Sequence, residues 1–190
     1  GSAGRERGGP GTHEGHLWVI EMRWKQKPEP FHKMLVAAPL YHMNGLAICK
    51  VALAAHVTIV LLPQFDAKEY IKAIGDYSVT WLTSVAAMMA MVVREEKVLQ
   101  ETDLSSVQIV RMGSAPVSVK LIADIKKFLP NAKITNGYGT TEAGPVVYGP
   151  HPKGLMQPDV SVGYPIDGIA RLVDGENLTA EYGELHCRNP

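Results

Sequence analysis

Cysteine is scarce. Cys49 and Cys187 are the only two in 190 residues, far apart and outside any C-x-x-C pattern. That argues against a disulfide framework and a cysteine-ligated zinc site, and it fits plain thiols in a reducing compartment. Net charge is absent too: 19 Lys and Arg balance 19 Asp and Glu, with no long block of either sign. Nucleic-acid modules are usually basic and clustered, so no nucleic-acid partner is expected. No apolar run reaches the ~20 residues of a membrane span. The longest, residues 51–62, is broken by His56. No secretory signal is visible. A soluble, cytoplasmic protein is the expectation.

What is present is a core and a rhythm. Apolar residues make up 46% of the chain, and a compact chain of this size buries roughly 70% of its unfolded surface. Residues 1–13 are glycine-rich. A helical pattern over 14–26 places Leu17, Ile20 and Trp24 on one side, and Pro28 and Pro30 end it. Apolar, β-branched segments at 34–38, 57–62, 79–82, 107–112 and 132–135 then alternate with helical segments at 44–55, from Asp66 through Ile74, at 84–94 and at 118–129. Asp66 is placed to cap its helix, with Glu69 three residues on as in a capping box. Such alternation predicts an α/β fold: a mostly parallel sheet, flanked by helices on both faces. The rhythm stops after Asn136. Residues 139–168 read as loop, and 169–173 and 183–187 read as strands around a turn at 175–177. The expected organisation is a glycine-rich segment (1–13), an α/β unit (14–160) and the start of a β-rich unit (161–190).

Ligands on open α/β sheets bind beyond the carboxyl ends of the strands. That rule selects residues 39–45, 113–116 and 136–142. In the last, Asn136-Gly137-Tyr138-Gly139-Thr140-Thr141-Glu142, the glycines permit close ligand approach. Tyr138 offers a ring for a nucleobase, the threonines offer hydroxyls for phosphate, and Glu142 is a hard ligand suited to Mg²⁺. From the residues alone, a polar turn after an edge strand is the slightly favoured reading. Met43, Met88 and Met89 at helical spacing read as core. His13 and His16 read as a solvated helix end.

The Tyr138–Glu142 segment resembles a signature of the adenylate-forming superfamily, which includes acyl-CoA synthetases, beetle luciferases and nonribosomal peptide adenylation domains. Four further segments lie in that family's order. Pro39-Leu40-Tyr41-His42-Met43-Asn44-Gly45 resembles P-L-F-H-x-x-G. Gly113-Ser114-Ala115-Pro116 resembles G-G-A-P. Val162-Gly163-Tyr164-Pro165 with Gly168 resembles G-x-P-x-x-G, and Gly183-Glu184-Leu185 resembles G-E-L. The resemblance implies Tyr138 against adenine, Thr141 on the α-phosphate, Glu142 on Mg²⁺, and His42 bordering the acyl and coenzyme A channel. It implies that Gly113, Ser114, Ala115 and Pro116 wall the site, and that Asn136, Gly137, Gly139 and Thr140 complete the nucleotide turn. The acyl pocket is then expected among His42, Met43, Asn44, the helix with Met88, Gly113–Ala115, Gly137, Gly144, Pro145 and Val146.

The implied reaction activates a carboxylic acid with ATP and passes the acyl group to coenzyme A. Those pocket segments hold no Arg or Lys, so an apolar or aromatic monocarboxylic acid is expected over a dicarboxylate. Residues 1–8 overlay the end of the family's phosphate loop, G-S-T-G-x-P-K-G, with Ala3, Glu6 and Arg7 departing from it; a tag remnant is the other reading. The chain has no T-G-D segment, where the family holds ribose, and the C-terminal domain with the catalytic lysine is expected beyond Pro190. The isolated chain is therefore expected to be inactive. A non-catalytic acyl- or nucleotide-binding module and a carrier-protein-loading domain are the alternatives.

Overall fold

A computed structural model describes residues 12–24, 31–144, 147–178 and 181–188. The expected phosphate-loop overlay, together with Pro145 and Val146, lies outside them.

Five strands form one parallel sheet: β1 (Lys33–Val36), β2 (Thr58–Leu61), β3 (Trp81–Val85), β4 (Ile109–Gly113) and β5 (Lys133–Gly137). Their order is β2-β1-β3-β4-β5. The chain leaves β1 outward to β2, then returns to the other side of β1 for β3. The reversal lies between β1 and β3, and a crevice opens there at the carboxyl ends of the strands.

Helices cover both faces, as expected. Alternate residues of β1 divide between two cores. Met34 and Val36 meet Ile48, Ala52 and Ala55 of the segment from α2 (Met43–Ala54) into its C-cap, Ala55. Leu35 and Ala37 meet the other core, which α3 (Ala67–Tyr77), α4 (Ala86–Val92), α5 (Glu96–Glu101) and α6 (Val119–Phe128) enclose. A strand covered on both faces needs apolar residues at every position, and Met-Leu-Val-Ala-Ala after Lys33 supplies them. The N-terminal helix α1 (His13–Trp24) packs on α2. It buries Val19, half-buries Ile20 and leaves Leu17 exposed. His16 Nδ1 accepts from Lys50 Nζ at 3.2 Å.

Local chemistry sets the boundaries. Asp66 Oδ1 accepts from the N–H groups of Lys68 and Glu69 and so caps α3. Glu69 pairs with Lys72 at 2.9 Å. Ser118 Oγ caps α6 by accepting from Leu121 N. The strand expected at 79–82 runs instead from Trp81 to Val85. Val79 N donates to Ile74 O and Ser78 N to Gly75 O, closing α3 with a left-handed Ser78. Val79 therefore completes a helix end before pairing can begin. Ser84 and Val85 then pair with Met112 and Gly113, so α4 starts at Ala86 and not at Ser84.

After β5 the chain makes two small antiparallel pairs. These are β6 (Tyr148–Gly149) with β7 (Tyr164–Pro165), and β8 (Ala170–Val173) with β9 (Glu184–Cys187). Asp174 and Asn177 exchange backbone hydrogen bonds across the turn after β8.

Candidate active site

A cleft of about 240 Å³ opens where β1, β3, β4 and β5 end. Its first wall is the loop from β1 into α2. His42 is the N-cap of α2, and its Nδ1 accepts from Asn44 N at 3.3 Å. A Cβ on Gly45 would stand 2.7 Å from Ala38 O and 2.8 Å from Pro39 O. Only glycine lets the helix start this close to the loop. His42, Met43 and Asn44 line the cleft, and Asn44 Nδ2 reaches Ser84 O at 3.5 Å.

The second wall is the loop after β4. Gly113 and Ser114 line the cleft; Ala115 and Pro116 are exposed outside it. Ser114 sits at φ +64°, a left-handed conformation that favours glycine.

The third wall follows β5. Gly137, Tyr138, Gly139, Thr140 and Thr141 line the cleft. The Tyr138 ring is 39% exposed and meets Tyr148 edge-on at 5.8 Å, so a ring face stays open. Thr140 Oγ1 accepts from Ala143 N and ties the turn. Glu142 is exposed outside the lining and makes no ion pair among the described residues. Asn136 points to the opposite side of the sheet. Its Nδ2 donates to Val160 O, and its buried Oδ1 has no partner. Gly144 is buried and bridges to Thr140. Met88 packs against the larger core, where Met89 is fully buried.

Five lining residues lie outside the segments picked out for the pocket: Ala47, Ile48, Thr83, Arg111 and Met112. Arg111 matters most. It stands in β4 between buried Val110 and Met112, opposite Thr83 of β3 and Thr135 of β5. That register puts it on the face that α2 covers, but α2 packs on β1, β2 and β3. Arg111 lies beyond that cover and reaches the cleft. Burial pushes its guanidinium down to about 10, so it stays charged at neutral pH. Among the described residues no carboxylate pairs with it. The sequence signal was a single cation inside an apolar strand.

Among the described residues no cluster of three or more His, Cys, Asp or Glu is placed to hold a metal. A protein-only cage is not what Mg²⁺ requires: it binds one or two carboxylates together with substrate phosphates. An exposed Glu142, unpaired among the described residues beside the turn after β5, fits that habit. No described helix is long and apolar enough to cross a membrane.

A two-sided α/β sheet with a cleft at its reversal point defines the open α/β class, whose ligands bind at that crevice. A family model described as AMP-binding enzyme matches residues 1–190, and the chain belongs to that family. 4-Coumarate-CoA ligase 1 of Narcissus pseudonarcissus is 32% identical over 155 residues, covering 77% of this chain and 28% of that protein. Acyl-CoA synthetase 7 of Caenorhabditis elegans is 32% identical over 156 residues, covering 80% and 28%. The chain thus spans about a quarter of the length of these curated relatives. The solved o-succinylbenzoate coenzyme A synthetase of Bacillus subtilis, in complex with its acyl-adenylate intermediate, superposes with a TM-score of 0.77. It is 21% identical, covering 97% of this chain and 38% of that one. A long-chain-fatty-acid-CoA ligase from Archaeoglobus fulgidus gives 0.76 at 18% identity, covering 92% and 37%. At these identities the structures establish the fold.

Proposed function

We propose that this chain carries part of the active site of an ATP-dependent acid–CoA ligase that activates a fatty or aromatic carboxylic acid as its acyl-adenylate. The carrying observation is the Tyr138–Thr141 turn, delivered by β5 to the same cleft as the His42 and Gly113–Ser114 loops, with Glu142 just outside the lining. The open Tyr138 face suits adenine. Thr141, whose hydroxyl has no partner among the described residues, suits an α-phosphate oxygen. Glu142 would hold Mg²⁺ together with the nucleotide phosphates; that ion supplies charge neutralisation. Gly113, Ser114, Ala115 and Pro116 form the adjoining loop. Asn136, Gly137, Gly139 and Thr140 set the course of the turn. Met43 and Asn44, with Ala47 and Ile48, give the acyl side an apolar wall beside His42, and Gly144 leaves room near the turn.

The chemistry asks little covalent work of the protein. A substrate carboxylate, already ionised at neutral pH, attacks the α-phosphorus of ATP. The α–β phosphoanhydride bond breaks and pyrophosphate leaves. The thiol of coenzyme A then attacks the acyl carbonyl, a thioester forms, and AMP leaves. Positioning and charge stabilisation supply the rate. The two free thiols suit a reducing compartment, and we place the protein in the cytoplasm.

The test uses the full-length protein. Pyrophosphate formation should require ATP and an acid, and sustained release of AMP should require coenzyme A as well. Acid-independent ATP hydrolysis, or no turnover with any fatty or aromatic acid, would contradict the reading. The 190-residue chain alone should show no turnover, since it holds no T-G-D segment. Each charge-assisted contact to a nucleotide is worth roughly 1.5–3 kcal/mol, so losing even two lowers affinity by orders of magnitude.

A further inference from the structure

Resting on the reading of this cleft as an acid-activating site, we infer that the acid it takes carries a second carboxylate, which pairs with Arg111. The cleft lining contains one cation, Arg111, and no Asp or Glu. The guanidinium lies on the sheet face left open beyond α2, and among the described residues nothing ion-pairs or hydrogen-bonds with it. A half-buried cation left unpaired is unfavourable, and a ligand carboxylate offsets that penalty by a bidentate, charge-assisted contact.

The Arg111 backbone is in register with Thr135, and its guanidinium reaches forward to Gly137, with Thr141 four residues further along the turn. An acid whose reacting carboxylate meets the nucleotide near Thr141 can extend its other end toward Arg111. Between them the wall is apolar on the α2 side, from Met43, Ala47 and Ile48. A hydrocarbon or aromatic body with a carboxylate at each end matches that sequence of surfaces. This reverses the monocarboxylate expected from the loop segments, because the cation comes from the strand just before them.

The experiment is acid-dependent ATP–pyrophosphate exchange by the full-length protein. Matched acids serve as probes: succinate to suberate against butyrate to octanoate, and terephthalate against 4-methylbenzoate. One contact of this kind corresponds to roughly a 10- to 100-fold preference, so the best diacid should exceed its monoacid by that ratio in kcat/KM. Arg111→Met should abolish the preference while the KM for ATP stays within about twofold. Arg111→Lys should keep part of it. Equal use of diacids and monoacids by the wild type overturns the inference without needing any variant, and leaves the ligase reading standing. So does an Arg111→Met protein that loses all acids equally and raises the KM for ATP, which would assign the guanidinium to the nucleotide phosphates. Exchange with no acid at all would remove the ligase reading and this inference together.

Discussion

The guanidinium of Arg111 lies against the backbone of Gly137: a Cβ at position 137 would stand 2.9 Å from Nη2 and 3.6 Å from Cζ. The β5 glycine therefore does two things. It opens the turn that follows β5, and it leaves the space that the β4 cation occupies.

Gly137→Ala should displace Arg111 more than it disturbs the sheet, because the crowded atom is the far end of a flexible side chain. The unfolding free energy should fall by no more than about 1 kcal/mol. Diacid preference in the full-length protein should shrink, and adding Gly137→Ala to Arg111→Met should change that preference no further. Urea unfolding and exchange kinetics check both. A much larger stability loss would mean that the backbone of β5 moves.

Ser114 holds a left-handed conformation at φ +64° where the resembling loop has glycine. For a residue with a Cβ that costs roughly 1–2 kcal/mol. Ser114→Gly should recover about 1 kcal/mol of stability after the added unfolded-chain entropy of glycine is counted. A variant less stable than wild type would show that the hydroxyl contributes something the loop geometry does not reveal.

Tyr70 is fully buried, and its hydroxyl donates to Thr83 O at 3.1 Å, behind a residue that lines the cleft. Thr83 Oγ1 in turn donates to Leu35 O at 2.8 Å. Tyr70→Phe should cost about 1 kcal/mol by leaving the Thr83 carbonyl without that donor. Burial raises the phenol above its ordinary range, which fixes the sign of its pH effect. Its contribution is complete below the unfolded value of about 10 and is lost as pH rises toward the higher folded value. Denaturation midpoints above pH 10 should therefore fall less steeply for Tyr70→Phe than for wild type. Parallel alkaline limbs would contradict the assignment.

The sheet was readable because its strands carry apolar residues on both faces and its helices carry plain caps. Asp66 caps as its spacing indicates, and β8 and β9 flank the turn where glycine and asparagine place it. What escaped reading was set by pairing. Val79 has every property of a strand residue, yet it closes α3. The helix Glu96–Glu101 buries only Leu99, too little apolar periodicity to register. The pairs β6–β7 span two residues each, below any sequence period. In the site, the three loops were legible from their position after strands. Arg111 was not, because a segment read as a strand covered on both faces conceals where α2 stops.

The most direct test of the account is ATP–pyrophosphate exchange by full-length Glu142→Gln. Glu142 is exposed and pairs with nothing among the described residues, so the substitution should leave the unfolding midpoint unchanged. If its carboxylate holds Mg²⁺ on the nucleotide, acid-dependent exchange should fall about 100-fold or more. Exchange at the wild-type rate in a normally folded variant would contradict the account.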